Sequence, residues 1–297
     1  MPNHRLRQPL LRPVVHCSDF SPGSHTAFAH ALKAALTAKA KLSILHVADD
    51  MEANWTEFPG VRNILERWEL LPRNSPRSAV PELGINVRKL TIQHKDPVKS
   101  VVEWLEHHPT DLLVLATQQD NNRVFWMSRS VAKPITRKSR LMTLLIPKGI
   151  IGFVSKQDGA VSLKHIVIPV AADPKPQPAI QAAARLVQQL NCPSGRFTVL
   201  HVGENGQMPT VRFPSVPGWS WTKVTEDGDI SKIILKTVKD HKADLLIMTT
   251  AGRRGFLDAL RGSQTEQVLR KASCPVLTIP AGGWMASLLE TETDGDT

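Results

Sequence analysis

The chain has 297 residues, of which 41% are hydrophobic and 22% charged, and its formal net charge is +10. This length fits two domains of about 150 residues, each with its own core. No stretch of the sequence approaches the roughly 20 apolar residues that would span a membrane. The three cysteines are few, odd in number and without CxxC spacing, so we expect a cytoplasmic protein without disulfides or a structural metal.

The excess of Lys and Arg has two interpretations. A basic surface attracts nucleic acid or another polyanion, but it also keeps an ordinary protein soluble. The basic residues are scattered without a run of five or more, and the interleaved aromatic residues of a nucleic-acid-binding sheet are missing. We therefore favour a solvated surface over nucleic acid as a partner.

The first elements predict a strand, a helix and a second strand. The apolar run Val14–Cys17 breaks at residues 18–24, where Asp, Ser, Pro and Gly are typical of a turn and a helix N-cap. Apolar residues recur at helical spacing over 25–40, and a strand follows at 42–47. Such a unit favours a parallel sheet with a right-handed crossover.

The remaining elements continue this alternation. Residues 48–84 are irregular apart from one helix near 60–70, and the glycine-containing segment 149–163 is the expected linker between domains. We predict strands at 85–92, 112–116, 142–146, 165–170, 197–202, 245–249 and 276–279. We predict helices at 99–107, before 142, and at 176–190, 229–241 and 263–272.

The sequence repeats itself. The segment Lys41–Val47 recurs as Arg196–Val202, and Asp111–Thr117 recurs as Asp244–Thr250. A repeat of this length predicts two copies of one domain, which we place at 12–149 and 163–281. The second copy is shorter by 22 residues in its middle.

Only the second copy has a glycine-spaced loop, which runs from Gly252 to Gly262-Ser263 and opens a helix. Glycine lets the backbone approach a ligand closely, and the free N–H groups of a helix N-terminus bind anions. The Ser263 hydroxyl can cap that helix or donate to a phosphate, and Arg253 adds positive charge beside it. This loop predicts a phosphate site.

These residues resemble a tandem universal stress protein. Asp19 matches the acid that follows the first strand in that family, and Thr249-x2-Gly252-x9-Gly262-Ser263 matches its G-x2-G-x9-G-[ST] loop with the first glycine replaced. The resemblance implies two five-stranded parallel sheets of order 3-2-1-4-5 with flanking helices, of the adenine nucleotide alpha hydrolase-like type. It also implies pairing through the last strands, which one chain can satisfy as an internal pseudo-dimer; a further homodimer stays open.

The resemblance further implies an adenine nucleotide, ATP or AMP with or without Mg²⁺, in the second domain only. The implied contacts are Pro169, Val170, Ala171, Val202, Met248, Thr249, Gly252, Arg253, Gly262, Ser263, Gln264 and Thr265. The first site, at Asp19, Val47 and Ser130, is degenerate because Gln119 and Arg129 replace glycines. The second site has lost the acid, since Ala171 stands at its position.

We therefore expect a cytoplasmic stress-response sensor or adaptor rather than a turnover enzyme. Two alternatives remain open. A slow ATP hydrolase would need an acid near the phosphates, for which Asp173 is the local candidate in the second copy. A ligand-free interaction scaffold would account directly for the lost glycines and for Ala171.

Several other residues have competing interpretations. His46 and His201 occupy equal places in the two copies, and we favour donors to the backbone over ligand contacts. For Cys17 we favour an inert buried thiol over a redox-sensitive one, and for Asp19 a helix cap. The stretch 214–221, with Trp219 and Trp221, either covers a ligand or packs on the sheet edge.

Overall fold

The computed structural model describes residues 13–48, 56–93, 96–117, 134–136, 138–203, 208–250 and 264–282. Within them, the strands are β1 Val14–Cys17, β2 Lys41–Ala48, β3 Asn86–Gln93, β4 Leu112–Thr117, β5 Met142–Pro147, β6 His165–Val170, β7 Gly195–Val202, β8 Trp219–Glu226, β9 Leu245–Thr250 and β10 Val276–Pro280. The helices are α1 Pro22–Ala38, α2 Val61–Arg67, α3 Pro97–His107, α4 Gln177–Gln189, α5 Ile230–Asp240 and α6 Gln264–Lys271. Two 3-10 helices, Arg77–Ala79 and Pro81–Leu83, precede β3.

All ten strands belong to one sheet, in the order β3-β2-β1-β4-β5-β10-β9-β6-β7-β8. The order 3-2-1-4-5 is thus confirmed in the first half, β1–β5, and in the second half, β6–β10, and all pairs within each half are parallel. The two five-stranded sheets that the resemblance implies are the two halves of this single sheet. The strands β5 and β10 pair antiparallel, with Leu277 opposite Leu144, because each is fully buried and would otherwise leave an unpaired apolar edge.

Helices cover both faces of the sheet, which explains why its central strands are near-continuous apolar runs. One core cluster extends under α1 and α4 across both halves. On the opposite face, α3 covers a second cluster in the first half, and α5 and α6 cover a third in the second half. In the described part of the chain, no helix is long and apolar enough to cross a bilayer.

The repeated aspartate has a structural role in the second half. The Asp244 carboxylate accepts hydrogen bonds from the backbone N–H groups of Lys164 and His165, each at 2.8 Å. It therefore ties the beginning of β9 to the beginning of β6, which explains why the acid stands just before the apolar strand.

The edge strand β8 was missed by the sequence analysis. The Trp221 ring stacks on Phe197 at a centroid distance of 4.0 Å, and its Nε1 donates to Pro214 O at 2.9 Å. The Trp219 Nε1 donates to Cys192 O, also at 2.9 Å. The 214–221 stretch therefore packs on the sheet edge, which was one of its two interpretations.

The expected linker, 149–163, packs against the first half instead of standing free. The His30 Nδ1 donates to Thr26 O at 2.8 Å, which leaves its Nε2 to accept the N–H groups of Phe153 and Val154 at 3.1 and 3.2 Å. A Cβ on Gly152 would lie 2.3 Å from the His30 ring, so only glycine permits this approach. The segment is a fixed part of the fold.

Candidate functional site

The predicted nucleotide contacts of the second half lie at the carboxyl ends of three neighbouring strands. In an open parallel sheet, ligands bind beyond these ends. Pro169, Val170 and Ala171 end or follow β6, Val202 ends β7, and Met248 and Thr249 lie near the end of β9. Gln264 and Thr265 begin α6. Gly252, Arg253, Gly262 and Ser263 lie outside the described residues, as does Ser130 of the first half.

The two repeated histidines make the same hydrogen bond. The His46 Nδ1 lies 2.8 Å from Ser18 O, and the His201 Nδ1 lies 3.0 Å from Val170 O. Because a carbonyl oxygen can only accept, Nδ1 carries the proton in both rings. The prediction of backbone donors is confirmed, and each bond fixes the turn that follows the first strand of its half.

In the first half, aromatic rings fill the space beside this turn. The Phe20 ring stacks on His46, with centroids 4.1 Å apart and planes 24° apart. Phe58 packs its edge against Phe20 at 5.0 Å. Phe20 itself adopts a φ of 60°, a left-handed conformation that is uncommon outside glycine. The chain itself therefore covers the end of β2 on the face that carries His46. Val47 of the degenerate first site is buried in the cluster on the opposite face.

A buried chain of polar groups holds Phe20 in place. The His16 Nδ1 lies 3.1 Å from Val114 O, so Nε2 is free to accept the Ser24 hydroxyl at 3.3 Å. The Ser24 Oγ lies 3.0 Å from the Ser18 Oγ, which accepts the backbone N–H of Phe20 at 3.2 Å. Burial lowers the pKa of His16 to about 4, against the smaller opposing effect of its bond to Val114. Since Ser24 and His16 are both fully buried, this Ser–His pair does not meet a substrate.

Asp19 is engaged within the same turn. Its Oδ1 accepts the backbone N–H of Ser21 at 3.0 Å. The helix cap is Ser21, whose Oγ accepts the N–H of Ser24 at 3.2 Å, so the expectation that Asp19 caps α1 is corrected. One oxygen of the acid that matches the family motif is therefore engaged within its own turn in the first half.

In the second half, the described residues place no aromatic ring at the corresponding position. Phe20 stands two residues after Ser18, and the residue two after Val170 is Ala172. Ala171 and Ala172 are both exposed, and no aromatic ring is found on His201 among the described residues. Ala171 and Ala172 thus stand where the first half has the carboxylate of Asp19 and the ring of Phe20.

An unpartnered hydroxyl lies at the end of β9. The Oγ1 of Thr249 is buried, has no hydrogen-bond partner among the described residues, and belongs to a side chain that is 8% exposed. Burying a hydroxyl without a partner costs about 1–3 kcal/mol. Residues two apart in a strand point to the same face, so Thr249 shares the face of Ile247 and His201 shares the face of Val199. Ile247 and Val199 both belong to the core cluster under α4, so Thr249 and His201 lie on the same side of the sheet. The site therefore holds an unused polar group.

Cysteine chemistry is disfavoured at the first site. Cys17 is 1% exposed, and burial raises the pKa of its thiol to about 12, so the reactive thiolate is not formed near neutral pH. This favours the inert interpretation of Cys17. In the described residues no group of three or more His, Cys, Asp or Glu side chains is placed to hold a metal ion.

The strand order and the position of this site define a class, the doubly wound α/β proteins whose ligands bind at strand ends. Within that class, the model of the universal stress protein family matches residues 11–147 and 216–280, more than half of the sequence. The chain therefore belongs to the universal stress protein family, and the two matched segments give it tandem domains.

Solved structures share this fold. A universal stress protein from Archaeoglobus fulgidus matches with a TM-score of 0.58 at 16% identity, over 91% of this chain and 98% of its own. A putative universal stress protein from Pseudomonas aeruginosa UCBPP-PA14 matches with a TM-score of 0.60 at 13% identity, over 95% and 98%. At these identities the likeness concerns the fold. A comparison with curated protein sequences returned no match.

Proposed function

We propose that this chain is a cytoplasmic stress-response sensor or adaptor that binds one adenine nucleotide, ATP or AMP, in its second half. The observation that carries the proposal is the difference between two equivalent positions. Phe20 stacks on His46 in the first half, whereas Ala172 stands at that position in the second half, and His201 has no ring partner among the described residues. A planar base needs such an open space beside the strand ends.

The polar groups of the second half fit the rest of a nucleotide. The buried Thr249 hydroxyl can both donate and accept, so a ribose or phosphate oxygen would supply its missing partner. The sequence then continues into the Gly252–Ser263 loop, whose glycines suit a phosphate and, with ATP, its Mg²⁺. We propose Pro169, Val170 and Ala171 as the remaining contacts at the end of β6.

We propose that the nucleotide is bound and not hydrolysed. The Ser24–His16 pair is buried, and Asp173, the candidate acid for a slow hydrolase, is exposed in the turn after β6. We further propose that the domains span 12–149 and 163–281, and that the β5–β10 pairing makes them an internal pseudo-dimer.

Restoring the missing acid tests this site. We expect Ala171→Asp to tighten AMP binding about ten- to a hundredfold, because a hydrogen bond from ribose to a charged carboxylate contributes roughly 1.5–3 kcal/mol. Ala171 is exposed, so the carboxylate can be added without burying a charge. Isothermal titration with AMP measures the affinity of each variant.

The matched control is Ala172→Asp, which adds the same charge one residue later on the same exposed turn. We expect it to leave the affinity for AMP nearly unchanged or to weaken it. Equal tightening by both variants would mean that charge alone, and not the ribose contact, is responsible. No heat of binding in the unsubstituted chain and in Ala171→Asp would remove the nucleotide proposal in favour of a ligand-free scaffold.

A further inference from the structure

A basic groove lies beside the edge strand of the first half, away from the strand ends. It has a volume of about 710 Å³ and lies between β3, the beginning of α2 and the 3-10 helices. Asn86 and Val87, which begin β3, form part of its wall, so the groove opens near the amino end of that strand. The strand-end site of the first half is separated from it by the buried Phe58 ring.

Three cations line this groove: Arg62 from α2, Arg77 from the first 3-10 helix and Lys89 from β3. None of its described lining residues is acidic. Three elements that are distant in sequence thus bring three positive charges to one concave surface, where their potentials add.

The arginine on α2 is only partly neutralised. The Arg62 Nε lies 3.5 Å from Glu66 Oε1, but it is buried and makes no hydrogen bond to a described residue. The same Glu66 oxygen accepts the backbone N–H of Ser75 at 3.1 Å. One carboxylate therefore serves two partners, and Arg62 keeps donors for a further anion.

The Lys89 ammonium group on β3 lies near an aromatic ring and a second cation, neither of which neutralises its charge. Its Nζ lies 5.7 Å from the centroid of the Phe58 ring. Burial, and next the positive charge of Arg77, lower the pKa of Lys89. An anion between Arg77 and Lys89 would relieve that repulsion, whereas a neutral ligand would leave it in place.

We propose that this groove binds a small polyanion that carries two or more phosphate groups. A single phosphate between Arg77 and Lys89 would leave the remaining donors of Arg62 unused, whereas a second phosphate group would reach them. Guanidinium groups match phosphate geometry with two parallel hydrogen bonds, which favours phosphate groups over carboxylates of similar charge. The groove is distinct from the nucleotide site proposed at the ends of β6, β7 and β9.

The experiment titrates the full chain with linear tripolyphosphate, and separately with inorganic phosphate, by calorimetry at fixed ionic strength. We expect tripolyphosphate to bind more tightly than phosphate, and the double variant Arg77→Gln/Lys89→Gln to lose at least tenfold in tripolyphosphate affinity at this site. AMP is titrated alongside, and its affinity should stay unchanged because its proposed site lies in the other half.

The control is Lys41→Gln/Arg88→Gln, which removes one charge from β2 and one from β3. By strand alternation these side chains point to the opposite face of the sheet, with Leu45 and Leu90. We expect this variant to retain tripolyphosphate binding. Equal losses in both double variants, or no binding by the unsubstituted chain, would overturn the proposal. A change in AMP affinity alone would instead concern the nucleotide site.

Discussion

Substituting Gly218 by Ala should lower the free energy of unfolding by about 3–5 kcal/mol, among the largest effects expected for a single methyl group. A Cβ at this position would lie 2.0 Å from the carbonyl oxygen of Pro193, and Gly218 has a φ of +76°. The Gly218 carbonyl also accepts the N–H of Gly195 at 3.1 Å, at the start of β7. The added methyl group should therefore separate β8 from β7. Urea unfolding followed by tryptophan fluorescence measures the loss.

Gly149→Ala is the matched control for this prediction. Gly149 has a φ of +80°, but a Cβ there would meet no atom within 4 Å. We expect it to cost only the strain of the left-handed backbone, about 1–2 kcal/mol. Similar losses at both positions would contradict the steric argument, and with it the close seating of β8 on the second half.

Acid should destabilise the protein through two buried histidines before its carboxylates are protonated. Burial lowers the pKa of His16 and of His30 from 6.5 to about 4 in each case. Between pH 6.5 and 4 the unfolded chain binds protons that the folded chain does not. Stability is thus fully present above pH 6.5 and is lost as the pH falls, by roughly 1 kcal/mol per pH unit for each histidine.

His30→Gln should remove one histidine from this dependence. The variant should be less stable at neutral pH, because a flexible amide oxygen replaces the ring Nε2 as acceptor of the Phe153 and Val154 N–H groups and the ring contact with Phe153 is lost. Its stability should nevertheless fall less steeply below pH 6.5. The control is His25→Gln, an exposed position on the same helix, which should keep the steeper slope. Equal slopes in the two variants, measured by urea unfolding from pH 7 to pH 4.5, would contradict a neutral buried His30.

Much of the fold could be predicted because its strands are long apolar runs that occur twice. His46 in β2 and His201 in β7 take equivalent places in the two halves, as the repeat indicated. The strand β8 escaped because Pro214 and Gly218 suggested a loop, although the aromatic and β-branched residues from Trp219 to Thr225 favour a strand.

The candidate site was only partly predictable. The loss of the acid at Ala171 is visible in the sequence, because Ala171 takes the place after the first strand of the second copy that Asp19 takes in the first copy. The role of Phe20 is not, since its stacking on His46 depends on a left-handed backbone and on hydroxyls from both ends of a turn. Likewise, the sequence does not show that the Thr249 hydroxyl is buried without a partner among the described residues, because this depends on which atoms surround it in the fold. Both features depend on packing around the strand ends, which the sequence does not show.

Native mass spectrometry of the full chain with added AMP counts the nucleotides bound to each molecule. We expect one AMP per chain, retained in Phe20→Ala and lost in Gly262→Arg, whose added side chain is expected to occupy the phosphate space. Two AMP molecules per chain, none at all, or undiminished binding by Gly262→Arg would contradict a single nucleotide site in the second half.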